Sequence, residues 1–121
     1  MTRIYSGKRQ SGKTTEMIKQ SAETGAVIVT PTSIAADYIK RMALDMMFDI
    51  PKPISINRFI FEQYSGTAHD KRYLIDELQT VLTYLNVEAA TTNSDSIYVI
   101  DSKKNVDERD IFARGYNQGV R

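Results

Sequence analysis

The chain has 121 residues, 41% of them hydrophobic and 26% charged, with 16 lysines and arginines against 15 aspartates and glutamates, which describes one soluble globular domain with one core. Zero cysteines exclude a disulfide scaffold, a thiolate zinc site and a cysteine nucleophile, and a lone histidine, His69, argues against a histidine metal cluster or a Ser-His-Asp triad. No apolar run approaches the roughly 18 residues of a membrane span and the N-terminus lacks a signal-peptide core, so a cytoplasmic protein without a membrane partner is expected.

Short β-branched runs alternate with segments of helical period, the pattern of an α/β fold. Arg3–Ser6 reads as a strand entering a glycine loop. Lys13–Glu23 reads as a helix with Met17, Ile18, Ser21 and Ala22 inward, closed by Gly25. Ala26–Thr30 has the unbroken apolar character of a central strand covered on both faces. Pro31 ends it, and Thr32 or Ser33 caps a helix of about fifteen residues that carries Ile34, Tyr38, Ile39, Met42, Ala43 and Met46 on one face. Beyond Pro51 and Pro53, Ile54–Ile56 reads as a brief strand and Asn57–Tyr64 as a helical turn or two. Phe59, Phe61 and Tyr64 are read as packing against the sheet, with base stacking as the alternative. Ser65–Lys71, with His69, is an exposed loop. Tyr73–Asp76 is a strand ending in acid, followed by a helix with Leu78, Val81, Leu82 and Leu85 inward. After a polar loop, Ala90–Asp95, comes a last strand, Ile97–Ile100, and then a charged helical segment around Val106–Tyr116. Right-handed crossovers between such strands make the sheet mostly parallel, with ligands at the carboxyl ends of its strands.

The strongest motif is Gly7-Lys8-Arg9-Gln10-Ser11-Gly12-Lys13-Thr14, which matches G-x-x-x-x-G-K-[ST] at every fixed position. Glycines let successive backbone N–H groups turn inward on a phosphate, and the helix that follows aims its dipole at the same anion. Gly7, Lys8, Arg9, Gln10, Ser11, Gly12, Lys13, Thr14 and Thr15 are therefore the expected nucleotide-binding set, with Lys13 on the β- and γ-phosphates and the Thr14 hydroxyl on Mg²⁺. The charge distribution agrees: residues 1–20 hold Arg3, Lys8, Arg9, Lys13 and Lys19 against Glu16 alone, a net +4 in a chain of net +1. Lys8 and Arg9 add phosphate attraction or are simply solvated.

Tyr73-Leu74-Ile75-Asp76-Glu77 has the form of a Walker B strand. Asp76 at its carboxyl end would hold Mg²⁺ through water, and Glu77 would act as the general base on the attacking water. The alternative for Asp76 is an N-cap of the helix that follows.

These residues resemble the first RecA-like domain of superfamily 1 DNA helicases. The likeness spans roughly residues 3–80 in four segments: the phosphate loop; Val29-Thr30-Pro31-Thr32-Ser33-Ile34-Ala35-Ala36 with Arg41 beyond, similar to motif Ia; Ile54-Ser55-Ile56-Asn57-Arg58-Phe59, with Asn57 where that family usually has histidine; and Asp76-Glu77-Leu78-Gln79, similar to its D-E-x-Q box. The resemblance implies a three-layer RecA-like P-loop core, around a mostly parallel sheet of about four to five strands. It implies ATP and Mg²⁺ as ligands, Gln79 as a sensor of the γ-phosphate, and Thr30 and Thr32 near single-stranded nucleic acid.

The departures define further expectations. Only six residues precede Gly7, too few for the glutamine segment that reads adenine, and Asp101-Ser102 lacks that family's motif III residues. No second RecA-like domain follows, so an arginine finger is expected from a second copy or a partner, and unaided turnover should be slow. Arg109, Arg114 and Arg121 are available in cis but read as surface charge. The picture is an accessory or oligomeric ATPase of nucleic-acid metabolism, of the stripped-down kind common in viral and phage genomes. Ser11-Gly12-Lys13-Thr14-Thr15-Glu16-Met17-Ile18 is also similar to the phosphate loop of thymidine kinases, although the cysteine-bound zinc lobe of those enzymes is lacking. A non-catalytic nucleotide-binding interaction module is the remaining alternative.

Overall fold

A computed structural model describes residues 2–100; the charged segment around Val106–Tyr116, Asp101-Ser102, and Arg109, Arg114 and Arg121 lie outside them. The described residues alternate strand and helix in an α/β arrangement, and every strand pairing among them is parallel. They divide into two compact units, one made of the residues up to Lys13 and from Ala89 onward, the other of Thr14–Glu88.

The first unit is built on β1 (Ile4–Ser6) and β5 (Ile97–Val99), paired with Ile4 opposite Ile97 and Ser6 opposite Val99. Aromatic cross-strand neighbours favour such pairing. Tyr5 and Tyr98 face each other in register and stack with ring centroids 5.3 Å apart. The Ile100 amide extends the ladder to the Ser6 carbonyl at 2.7 Å.

The second unit centres on β2 (Val27–Thr30), which lies between β3 (Ile54–Ser55) and β4 (Tyr73–Ile75). Ile28, Val29 and Thr30 are buried, as a central strand of continuous apolar character requires. The expected strands thus form sheets of two and three strands. A core of Val29, Ile56 and Val81 is surrounded by Ile54, Phe59, Ile60, Tyr73 and Ile75, and Phe59 meets Tyr73 edge to face at 4.9 Å.

The helices follow the sequence in position and depart from it in facing. Helix α1 (Lys13–Thr24) ends at Gly25, whose φ of 79° suits a left-handed cap. It buries Met17, Ile18 and Ser21 as expected, but Gln20 in place of Ala22, because Glu16 one turn earlier accepts the Gln20 amide at 2.7 Å. Helix α2 (Ser33–Asp45) is capped by Thr32, whose hydroxyl accepts the Ala35 N–H at 3.0 Å. It buries Ala36, Ile39 and Ala43, while Ile34 is 80% and Tyr38 66% exposed. The small alanines set the packed face, and a helix in that rotation carries residues 34 and 38 to the opposite side.

Helix α3 (Ile56–Ser65) is longer than predicted, capped by Ser55 and closed by Gly66. Phe59 packs inward, but Phe61 and Tyr64 do not: they are 54% and 89% exposed, since the face that carries Ile56, Phe59 and Glu62 turns residues 61 and 64 outward. The Arg58 guanidinium lies over the Phe61 ring instead. Helix α4 (Leu78–Tyr84) is short, with Val81 buried and Leu85 exposed just past its end, where Asn86 takes a φ of 64°. No helix among the described residues is long and apolar enough to cross a membrane.

Candidate phosphate and metal site

In the loop after β1 the left-handed backbone falls on Gly12 and on Gln10 rather than on Gly7. Gln10 and Gly12 adopt φ values of 60° and 101°, and the Ser11 amide closes a turn onto the Lys8 carbonyl at 3.1 Å. Alternation of this kind turns successive N–H groups toward one side, the geometry of an anion nest. Lys13 curls over its own loop, donating to the Gly7 and Lys8 carbonyls at 2.6 Å each. An ammonium has three donors, so two fix its position and a third remains for an anion. Gly7 has no room for a side chain, because a Cβ there would collide with Ser11 Oγ and lie 2.8 Å from the Ile100 carbonyl oxygen. Ser11 itself is buried with its hydroxyl unpartnered, whereas Lys8, Arg9 and Gln10 are exposed.

The second unit carries the acidic residues. The Asp76 amide donates to the Val29 carbonyl at 2.8 Å, so the central strand sets the position of the carboxylate. Asp76 is buried at 8% exposure, and the Thr14 hydroxyl reaches its two oxygens at 3.1 and 3.4 Å. The motif residues Thr14 and Asp76, 62 positions apart, therefore meet side chain to side chain. The helix-cap alternative for Asp76 is not realised: the N-cap of α4 is Glu77, which makes no side-chain capping bond. Thr15, next to Thr14, is half-buried.

Glu77 is exposed and left-handed, with φ 65° and ψ 58°, a conformation that costs a non-glycine residue about 1–2 kcal/mol. Its carbonyl accepts the Thr80 and Val81 amides, and its carboxylate accepts Gln79 Nε2 at 2.7 Å. This last contact was not visible in the sequence, where Gln79 stood only as a phosphate sensor.

The nucleic-acid positions fare differently. Thr30 is 2% exposed at the end of the central strand, so its side chain is not presented to a macromolecule. Thr32 is exposed, with its hydroxyl engaged in capping α2. Asn57 accepts a hydrogen bond from Tyr84, which ties the end of α4 to the first turn of α3.

A hydroxyl and a carboxylate in contact are hard oxygen donors suited to Mg²⁺, which takes one or two protein ligands and fills its remaining positions with phosphate and water. Among the described residues no three of His, Cys, Asp and Glu cluster in the manner of an all-protein metal cage. A cavity of about 320 Å³ in this unit is lined by Thr24–Val27 and Asp70–Arg72 rather than by these residues. No family model, no curated protein and no solved structure matches the chain.

Proposed function

We propose that the chain is a RecA-like P-loop NTPase of the additional-strand class that binds ATP with Mg²⁺ and hydrolyses it slowly in nucleic-acid metabolism. The observation that carries this reading is the contact between Thr14 and Asp76, the last residue of the phosphate-loop motif and the acid of the strand-end motif. Chance motifs would have no reason to meet in space. Two further observations support it. Lys13 is held over the loop by two carbonyls. The phosphate-loop strand β1 pairs in parallel with the later strand β5, which is compatible with a parallel P-loop sheet.

In this reading the loop amides of Gly7–Thr14 and the Lys13 ammonium hold the β- and γ-phosphates. Thr14 and Asp76 would hold a magnesium ion, which when bound would supply positive charge against the phosphate oxygens. Glu77 orients a water against the γ-phosphorus and accepts its proton. The new P–O bond forms as the bond to the β–γ bridging oxygen breaks, and ADP leaves with that oxygen. An arginine from a second copy or a partner would accelerate the step by about 10³–10⁵.

Equilibrium ATP binding by the wild type and by Lys13→Ala tests the first half. Affinity in the wild type that falls at least tenfold in the variant is expected, and equal, negligible binding by both would sink the claim. Glu77→Gln should retain binding and lose hydrolysis. Stimulation of phosphate release by single-stranded DNA supports the helicase-like relation, whereas phosphorylation of thymidine would favour a nucleotide kinase.

A further inference from the structure

We propose that Gln79 is a positioning residue: it acts on catalysis through Glu77, by holding one carboxylate oxygen so that the other faces the attacking water. The inference rests on the ATPase reading and replaces the phosphate-sensing role that resemblance assigns to Gln79.

The argument starts from the backbone. The Asp76 amide is pinned to β2 through the Val29 carbonyl, and the Glu77 carbonyl starts α4 by accepting two amides. The residue between these anchors has a left-handed backbone, φ 65°, imposed from both sides. Glu77 stands at the N-cap of α4 without making a side-chain capping bond, so its carboxylate is not spent on the helix end. Its Oε1 accepts Gln79 Nε2 at 2.7 Å, two residues on. Gln79 is anchored in turn, because its carbonyl accepts the Thr83 hydroxyl at 2.8 Å and Tyr84 ties the end of the helix to Asn57. An exposed glutamate has about three rotatable bonds, and its freedom costs a base its aim. A neutral amide donor restrains the carboxylate without pairing it to a cation, so Oε2 keeps its capacity to take a proton. A Gln79 engaged in this way has one of its two amide N–H donors on Glu77, and its orientation is set by that contact.

The test uses the full chain with Gln79→Met, which keeps length and removes the donor, and Gln79→Glu, which places a like charge against Glu77. Expected for Gln79→Met is a kcat about fivefold to tenfold below wild type, the size of one neutral hydrogen bond, with the equilibrium Kd for ATP within twofold of wild type. Gln79→Glu should be slower still at a similar Kd. Side-chain amide resonances of Gln79 should move on Glu77→Gln, a signature of their contact that needs no turnover. An unchanged kcat in Gln79→Met with an active wild type overturns the positioning role alone. A tenfold or greater loss of ATP affinity in Gln79→Met overturns it in favour of direct phosphate contact. Amide resonances indifferent to Glu77→Gln overturn the contact itself. A wild type that binds ATP without hydrolysing it removes Glu77 as base and this role with it, and a wild type that binds no ATP removes the whole reading.

Discussion

The two ends of β4 carry two buried carboxylates with opposite fates. Before the strand, Glu62 of α3 is 3% exposed and saturated: Arg58 and Lys71 reach Oε2 at 3.0 and 3.2 Å, and the Tyr73 phenol donates to Oε1 at 2.6 Å. After the strand, Asp76 is almost as buried, and its two carboxylate oxygens accept the Thr14 hydroxyl. Surrounded by two cations and a phenol, Glu62 has no reason to recruit a ligand. Asp76 lies against Thr14, and in the proposed reading these two residues would hold a magnesium ion. Burial of an acid is thus uninformative about function until its partners are counted.

The largest effects should separate these carboxylates into two assays. Asp76→Ala is expected to lower ATP turnover by at least 100-fold, about 2.7 kcal/mol of barrier, while moving the unfolding midpoint little. Glu62→Ala should do the reverse, costing about 2 kcal/mol of unfolding free energy in urea titration with nucleotide affinity retained. That cost is moderate because the Arg58 and Lys71 side chains are 54% and 40% exposed and rehydrate when the anion is removed. A Glu62→Ala chain that is fully stable but inactive would erase the distinction.

A smaller effect is written in pH. The hydrogen bond from Tyr73, with those from Arg58 and Lys71, holds the Glu62 carboxyl below its usual range against the opposing effect of burial. A depressed acid contributes stability above its unfolded value, near 4.5, and loses it as pH falls through the folded one. Tyr73 is pushed up to about 12, first by burial and then by its bond to Glu62. A raised phenol contributes fully below 10.0, its ordinary value, and loses that contribution as pH rises toward about 12. The network therefore supports a plateau between these limits. Urea midpoints at acid, neutral and alkaline pH should fall at both ends in the wild type, with the acid limb shallower in Glu62→Gln. Tyr73→Phe should cost about 1 kcal/mol at neutral pH and flatten the alkaline limb.

Legibility from the sequence followed the range of the forces involved. The turn between β1 and α1 was readable because its backbone is set locally, by Gly12 and the Lys13 helix start. Asp76 was readable because strand and acid are contiguous. The outward turn of Ile34, Tyr38, Phe61 and Tyr64 was not, because helical periodicity gives several overlapping faces and only the packing of Ala36 and Ala43, or Ile56 and Ile60, selects among them. The Glu62 network was half visible: Arg58 and Glu62 stand at i,i+4, a spacing known to pair. Lys71 and Tyr73 join from beyond a turn whose path no local pattern states. Gln79 on Glu77 was hidden for another reason, since i,i+2 neighbours do not face each other in a helix and meet here only because Glu77 leaves the helical region.

The smallest effect compares Glu77 with Met47, which share a backbone conformation at φ 65° and 64°. Met47 follows α2, where its amide donates to the Leu44 carbonyl and the Phe48 amide to the Ala43 carbonyl, both at 2.9 Å. This double closure is the one that glycine usually occupies at a helix end. Met47 is 91% exposed, so its side chain contributes little in compensation. Met47→Gly should therefore raise unfolding free energy by about 0.5–1 kcal/mol, the relief of strain less the added freedom of the unfolded chain, with hydrolysis unaffected. Glu77→Gly removes the same kind of strain and should be as stable or more so, yet hydrolysis should be lost with the carboxylate. Stability measured by urea titration and turnover measured by phosphate release would then move together at neither position. If Glu77→Gly is instead destabilised, its backbone is held by the side chain through Gln79 rather than by the anchors at Val29, Thr80 and Val81, and the strain at residue 77 belongs to the fold rather than to the chemistry.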